Sequence, residues 1–161
     1  MLLEALASVP ELDWELSCAG SASRAPAQTE LCRRRTGELG LGSRVHWLGE
    51  LDGEALGHLL YRSGTFVQTA SYEAYGMAIM EAVACGLPVL STPAGALEGP
   101  CGDAALVCPT FTPQVFAASL RRLFEHEWGR LRAAATRVRR ELPTWDSVAG
   151  RFAALLAEAA A

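Results

Sequence analysis

The chain has 161 residues, half of them apolar and a fifth charged, with a formal net charge of −4 at pH 7. This length and apolar content suit one compact domain over 1–161 with a real core, and the mild negative charge, with basic residues scattered along helical stretches, speaks against nucleic acid or an acidic membrane surface as partner. All fourteen basic residues are arginine, so lysine chemistry is excluded.

Hydrophobic periodicity alternates helices with strands along the chain. Residues 2 to 9 read as the last turns of a helix ended before Pro10, and Trp14 to Ala19 as a short strand running into Gly20-Ser21. Residues 27 to 40 look helical despite Gly37, and Arg44 to Leu48 form a second strand closed by Gly49. A helix is expected over 53 to 62, a third strand over 65 to 69, and a helix over 75 to 86, capped by Cys85-Gly86. Leu87 to Ser91 and Ala104 to Val107 complete the strands. Helices close the chain at 113 to 125, 127 to 141 and 146 to 159, the last belonging to a C-terminal stretch from 143. Strands separated by helices of ten to fifteen residues imply right-handed crossovers and an α/β fold with a doubly wound, parallel sheet.

Five cysteines, Cys18, Cys32, Cys85, Cys101 and Cys108, show no metal-ligand spacing. They read as reduced, mostly buried thiols of a cytoplasmic protein. The apolar run from Ala74 to Ala96 is interrupted by Glu81 and broken at Gly86-Leu87-Pro88, so no membrane span is expected. The N-terminus does not read as a signal peptide.

In parallel sheets ligands bind beyond the carboxyl ends of the strands. The most informative such segment is 65 to 92, where Glu73 sits in a strand-to-helix turn, Gly76 in the first turn of the helix and Glu81 inside it. The residues around Glu81 are apolar on every side, which predicts a buried helix and a carboxylate in need of partners. Gly76 presents no side chain to an approaching phosphate, and free N–H groups of the first helical turn favour an anion. Glu81 lies about 7 to 8 Å further along the axis, which suits a diphosphate at the tip and a ribose further in.

The pattern Ser71, Glu73, Tyr75, Gly76, then Glu81, Ala82, Ala84, Gly86, Pro88 and Val89 resembles the E-x7-E motif of glycosyltransferase family 4. LSCAGS at 16–21, the stretch 44–71, the stretch 102–123 and PTWDSVAGRF at 143–152 are similar to other parts of that family's donor domain. The resemblance implies a Rossmann-like half of a retaining, two-domain GT-B enzyme. It implies that Glu73 holds the donor sugar at the catalytic centre and that Glu81 accepts both ribose hydroxyls. Backbone N–H groups of Tyr75, Gly76 and Met77 would meet the diphosphate or sugar, Leu48 and Gly49 would border the base, and Gly20 would let its loop approach the ligand. The expected ligand is a nucleotide-sugar, a UDP-sugar first, with no cofactor and no divalent metal required.

Two departures are visible. Ala94-Gly95-Ala96-Leu97-Glu98 stands where the family has G-G-x-P-E, and the family's first donor-domain strand, with its arginine and lysine clamp, is expected before Met1 together with an N-terminal acceptor domain. A gap in the sheet, or a rearranged neighbour closing it, should follow. The partner is then an acceptor-domain chain or the missing N-terminal domain; a non-catalytic or split-enzyme binding module is the rival reading.

Plain structural readings stand beside these. Glu81 could pair with an arginine and Glu73 could be a solvated loop acid, although Gly76 at this spacing argues against coincidence. Arg33-Arg34-Arg35 reads as a solvated helix face, and Arg24 is a possible substitute for the clamp. Trp14, Trp47, Trp128 and Trp145 read as packing anchors, Met77 and Met80 as core. His46, His58 and His126 have no metal spacing. A dinucleotide-binding oxidoreductase is a poor match, because Gly20-Ser21-Ala22-Ser23 is not G-x-G-x-x-G.

Overall fold

A computed structural model describes residues 1–93 and 100–159. In chain order these form α1 (Leu2–Ala7), β1 (Leu16–Ala19), α2 (Pro26–Glu38), β2 (Val45–Gly49), α3 (Gly53–Arg62), β3 (Phe66–Gln68), α4 (Met77–Ala84), β4 (Val89–Ser91), β5 (Ala105–Val107), α5 (Pro113–Arg122), α6 (Trp128–Glu141) and α7 (Trp145–Ala159). A 3-10 turn at Pro100–Ala104 leads into β5, and a π-helical turn at Leu123–Glu127 joins α5 to α6. Neither turn is expected from periodicity. The stretch that departs from G-G-x-P-E falls outside the described residues.

All pairings are parallel, and the fold is α/β as expected. The strands form two hydrogen-bonded sheets, β1-β2 and β3-β4-β5, rather than one. In the larger sheet the register aligns Phe66, Val89 and Ala105, then Val67, Leu90 and Leu106. Alternate side chains point to opposite faces of a strand, so the first trio joins the cluster of Ile79, Val83, Ala135 and Val138 beneath α4 and α6. The second trio joins Leu3, Leu6, Phe116 and Leu120 beneath α1 and α5. This sheet is therefore wound on both faces. Leu16, Cys18, Val45 and Trp47 bring β1 and β2 to the second cluster alone, while Ser17 and Leu48 on the other face are exposed.

Local chemistry sets the element ends. Asp52 accepts from the Ala55 N–H at 2.8 Å to cap α3, and Thr112 caps α5 ahead of Pro113. At the end of α4 the Gly86 N–H reaches Val83 O at 2.8 Å and the Leu87 N–H reaches Ala82 O at 3.0 Å, the paired bonds of a Schellman turn. Arg44 donates to Leu12 O at 2.6 Å and Trp14 O at 2.9 Å, with its guanidinium 3.8 Å from the centre of the Trp14 ring. One side chain thus fastens the α1–β1 connection to β2.

Several side chains depart from expectation. Trp145 is 87% exposed and anchors nothing, as α7 buries no residue. Met77 is 63% exposed and is not core, whereas Met80 packs beside Ile79. Of the five free cysteines only Cys101 and Cys108 are buried; Cys18, Cys32 and Cys85 are half-buried. Arg35 is not a solvated face residue, because it donates to Glu4 at 2.8 Å and Glu38 at 3.0 Å, tying α2 to α1. No helix among the described residues is long and apolar enough to cross a membrane.

Candidate functional site

The β3–α4 turn is built around the Glu73 carboxylate. One oxygen accepts from Gln68 Nε2 at 3.0 Å; the other accepts from the Gly76 N–H at 2.9 Å and the Tyr75 N–H at 3.4 Å. Gln68 closes β3, and Thr92, just past β4, holds the same loop through its hydroxyl to Ala70 O at 2.6 Å and its N–H to Gln68 O at 3.1 Å. Gln68 and Thr92 are positioning residues that sequence reasoning missed. The signal was a polar side chain at the carboxyl end of each of two adjacent apolar strands.

Gly76 is the N-cap of α4 rather than a residue of its first turn, and its φ of 78° is left-handed. An L side chain is disfavoured there, which explains glycine between the two glutamates. The N–H groups expected to be free for an anion are partly taken, since Tyr75 and Gly76 point theirs at Glu73. A carboxylate at this position satisfies the positive end of the helix as a phosphate would. Tyr75 itself is 67% exposed.

Glu81 is exposed, which corrects the expectation of a buried acid. Only the Ile79, Ala82 and Val83 side of α4 is buried, while Met77, Ala78, Glu81 and Ala84 lie open on the other. The apolar surround in the sequence therefore belongs to a helix with one uncovered face. Glu81 has no hydrogen bond or ion pair among the described residues. Its carboxylate is free to accept from a ligand.

A second feature lies beyond β1 and β2. A cleft of about 210 Å³ is lined by Cys18, Gly20, Thr29, Arg33, Trp47 and Gly49, among others. Its rim depends on two glycines, Gly20 with φ 144° and Gly49 with φ 71°, joined by the Gly20 N–H to Gly49 O at 2.7 Å. A Cβ on either would meet no atom within 4 Å, so backbone conformation rather than crowding requires glycine there. Burial pushes the Cys18 thiol pKa up, with Cys32 adding to the shift, so the cleft holds a neutral thiol. Leu48 is exposed beside the rim.

Of the arginine run, Arg33 and Arg34 are exposed as expected. Arg35 is held by Glu4 and Glu38, and Arg34 lies 3.6 Å from Glu38. Arg33 shares a helical face with Thr29, lines the cleft and has no acidic partner among the described residues. Arg24 does not line this cleft. His46 Nε2 stands 3.3 Å from Glu15, and among the described residues no group of His, Cys, Asp and Glu is arranged to hold a metal ion.

Comparison with known proteins bears on the family and the fold. The sequence model of the family described as "Glycosyl transferases group 1" matches residues 1–141. O-antigen chain mannosyltransferase B of Escherichia coli is 31% identical over 110 residues, 66% of this chain and 29% of that protein. Mannosylfructose-phosphate synthase of Agrobacterium fabrum is 30% identical over 128 residues, 77% of this chain and 28% of that protein. The chain thus spans less than a third of the length of these curated relatives. Among solved structures, sucrose-phosphate synthase from Thermosynechococcus elongatus superposes with a TM-score of 0.85 at 25% identity, over 99% of this chain and 42% of that one. HepE of Anabaena, solved in complex with UDP and glucose, gives 0.84 at 21% identity over 98% and 44%, a likeness of fold.

Proposed function

This chain belongs to the group 1 glycosyl transferases, and from that premise we propose that it is the donor half of a retaining, family 4 type glycosyltransferase, binding a nucleotide-diphosphate sugar and completed by an acceptor domain. The observation that carries the reading is the β3–α4 turn. Glu73 is held by Gln68 and the Gly76 amide, and Glu81 presents a free carboxylate on the same helix.

In this reading the base and ribose run from the Gly20–Gly49 cleft toward Glu81, whose carboxylate accepts from the ribose hydroxyls. The diphosphate and sugar meet the α4 N-terminus. When they do, the Tyr75 and Gly76 amides turn from Glu73 to the ligand, and Glu73 accepts from sugar hydroxyls instead. Sugar transfer breaks the anomeric C–O bond to the phosphate and forms one to an acceptor hydroxyl oxygen, whose proton passes to the departing diphosphate, on which negative charge grows as the bond breaks. The chain's contribution is preorganised N–H groups and the positive helix end at that place, together with positioning of the sugar. The scheme uses no protein nucleophile, no cofactor and no divalent metal. UDP-sugars are the first donors to try, as HepE was solved with UDP and with UDP-glucose.

A non-catalytic or split-enzyme binding module is favoured over a self-sufficient enzyme by one observation: neither Glu73 nor Glu81 has an ion-pairing cation among the described residues. Calorimetry with UDP tests the common core of both readings. UDP should bind wild type, and Glu81→Ala should lose about 1.5 to 3 kcal/mol, roughly ten- to a hundredfold in affinity. Equal UDP binding by wild type and Glu81→Ala would remove the ribose assignment.

A further inference from the structure

We propose that Arg33 reads the nucleobase of the bound nucleotide, selecting uracil or guanine, which carry a carbonyl at C4 or C6, over cytosine and adenine, which carry an amino group at that position. The inference rests on the donor-site reading above and adds the residue that sets base preference.

Three observations converge on the cleft beyond β1 and β2. It is walled by Trp47 and Cys18, and Trp47 packs against the hydrophobic core on its other side. Such a wall accepts a flat, apolar face, and aromatic contact with a base tolerates every base alike. Its mouth is formed by backbone at Gly20 and Gly49 rather than by side chains. Among the described residues the single charged side chain lining it is Arg33.

Arg33 is available for a ligand. Its neighbours Arg34 and Arg35 are both committed to acids, whereas Arg33 has no such partner among the described residues. It projects from the third turn of α2, one helical turn beyond Thr29, which also lines the cleft. Thr29 is engaged with Ala22 O at 3.4 Å, holding the Gly20 loop to the helix that carries Arg33.

The choice of base follows from donor and acceptor chemistry. A guanidinium has five N–H donors and no acceptor. Uracil O4, or guanine O6 with N7, accepts from it; the amino group of cytosine or adenine sets N–H against N–H at the same position. A good pairing of this kind discriminates by roughly tenfold or more. Glutamine, carrying both a donor and an acceptor, pairs instead with adenine.

The test is calorimetric titration of the purified chain with UDP, GDP, CDP and ADP, for wild type, Arg33→Met and Arg33→Gln. Wild type should bind UDP or GDP about tenfold or more tightly than CDP and ADP, and the better of UDP and GDP identifies the base. Arg33→Met should bring the four within about threefold by weakening only the preferred one, and Arg33→Gln should move the preference toward ADP. Both variants should keep the wild-type Tm, because the Arg33 side chain makes no hydrogen bond or ion pair among the described residues. Equal weakening of all four nucleotides in Arg33→Met would place Arg33 on a phosphate and overturn the proposal. Unchanged selectivity would overturn it while leaving the donor-site reading intact. If wild type binds none of the four, both fall together.

Discussion

The two glutamates of the E-x7-E pattern differ in what the protein itself asks of them. Glu73 is half-buried and receives three hydrogen bonds from its own loop, so its side chain shapes the turn as well as any ligand contact. Glu81 is exposed and its carboxylate is bonded to nothing among the described residues. Glu73→Ala is therefore expected to cost about 1 to 2 kcal/mol of stability through unpaired Gln68 and Gly76 donors. At this chain length that lowers Tm by about 2 to 4 °C per kcal/mol. Glu81→Ala should leave Tm within about a degree, as surface substitutions do, while weakening UDP binding more than Glu73→Ala does. Thermal melts and UDP titrations on the two variants check this; a reversed order in both would mean the roles had been exchanged. The cysteines separate similarly. Burial raises the thiol pKa of Cys101 and Cys108, so iodoacetamide under native conditions should modify Cys32 and Cys85 first, as peptide mass spectrometry will show.

Among the elements, α1 depends most on charge. Its Glu4 accepts from Arg35 of α2 at 2.8 Å, and that guanidinium holds the carboxyl below its usual range. Arg121 likewise holds Glu11, just beyond α1, below its ordinary range, and donates to Ser8 O at 2.7 Å. A carboxyl whose folded pKa lies below its unfolded one stabilises fully above the unfolded value and ceases to do so as pH falls through the folded one. The contribution from Glu4 is thus complete above about pH 4.5 and is lost as pH falls below it. Urea melts at pH 6 and pH 3 should show a smaller acid loss for Glu4→Gln than for wild type. An identical loss would mean that the α1–α2 pairing contributes nothing to acid sensitivity.

At the scale of the whole molecule, two features leave the described structure open to a partner. The β1-β2 and β3-β4-β5 sheets do not bond to each other, and unpaired strand edges invite pairing with other chains. α7 carries Trp145, Val148, Phe152, Leu155 and Leu156 in the open. The isolated chain is expected to self-associate, or to bind a partner segment, over a micromolar range. Analytical ultracentrifugation showing one monomeric species across that range would count against it. The chain alone is also expected not to transfer a sugar even when it binds the nucleotide. Removing one charge-stabilising donor from a preorganised site costs about 100- to 1,000-fold in rate, and this chain covers less than a third of the length of its curated relatives. Assays with labelled UDP-sugars and a broad acceptor mixture, with and without an added acceptor-domain chain, check this; transfer by the chain alone would refute it.

By itself the sequence determined the order and kind of the elements, because the short apolar runs ending in FVQ and VLS and the Cys85-Gly86 stop are local signals that later contacts do not override. It also located the Glu73-Gly76-Glu81 segment, since a motif of spaced acids around a left-handed glycine is written along one stretch of chain. Only the tertiary structure decided which faces were covered. An apolar surround could not tell a buried α4 from one packed on Ile79 and Val83 and open at Glu81, because burial depends on what lies opposite, and α6 covers one side only. The same holds for Arg33, Arg34 and Arg35. They are adjacent in sequence and alike in chemistry, yet rotation by about 100° per residue around α2 turns Arg35 to α1 and Arg33 to the cleft. The break between the two sheets is likewise a matter of pairing across distance, where each strand reads as sound on its own and the missing hydrogen bonds belong to no single segment.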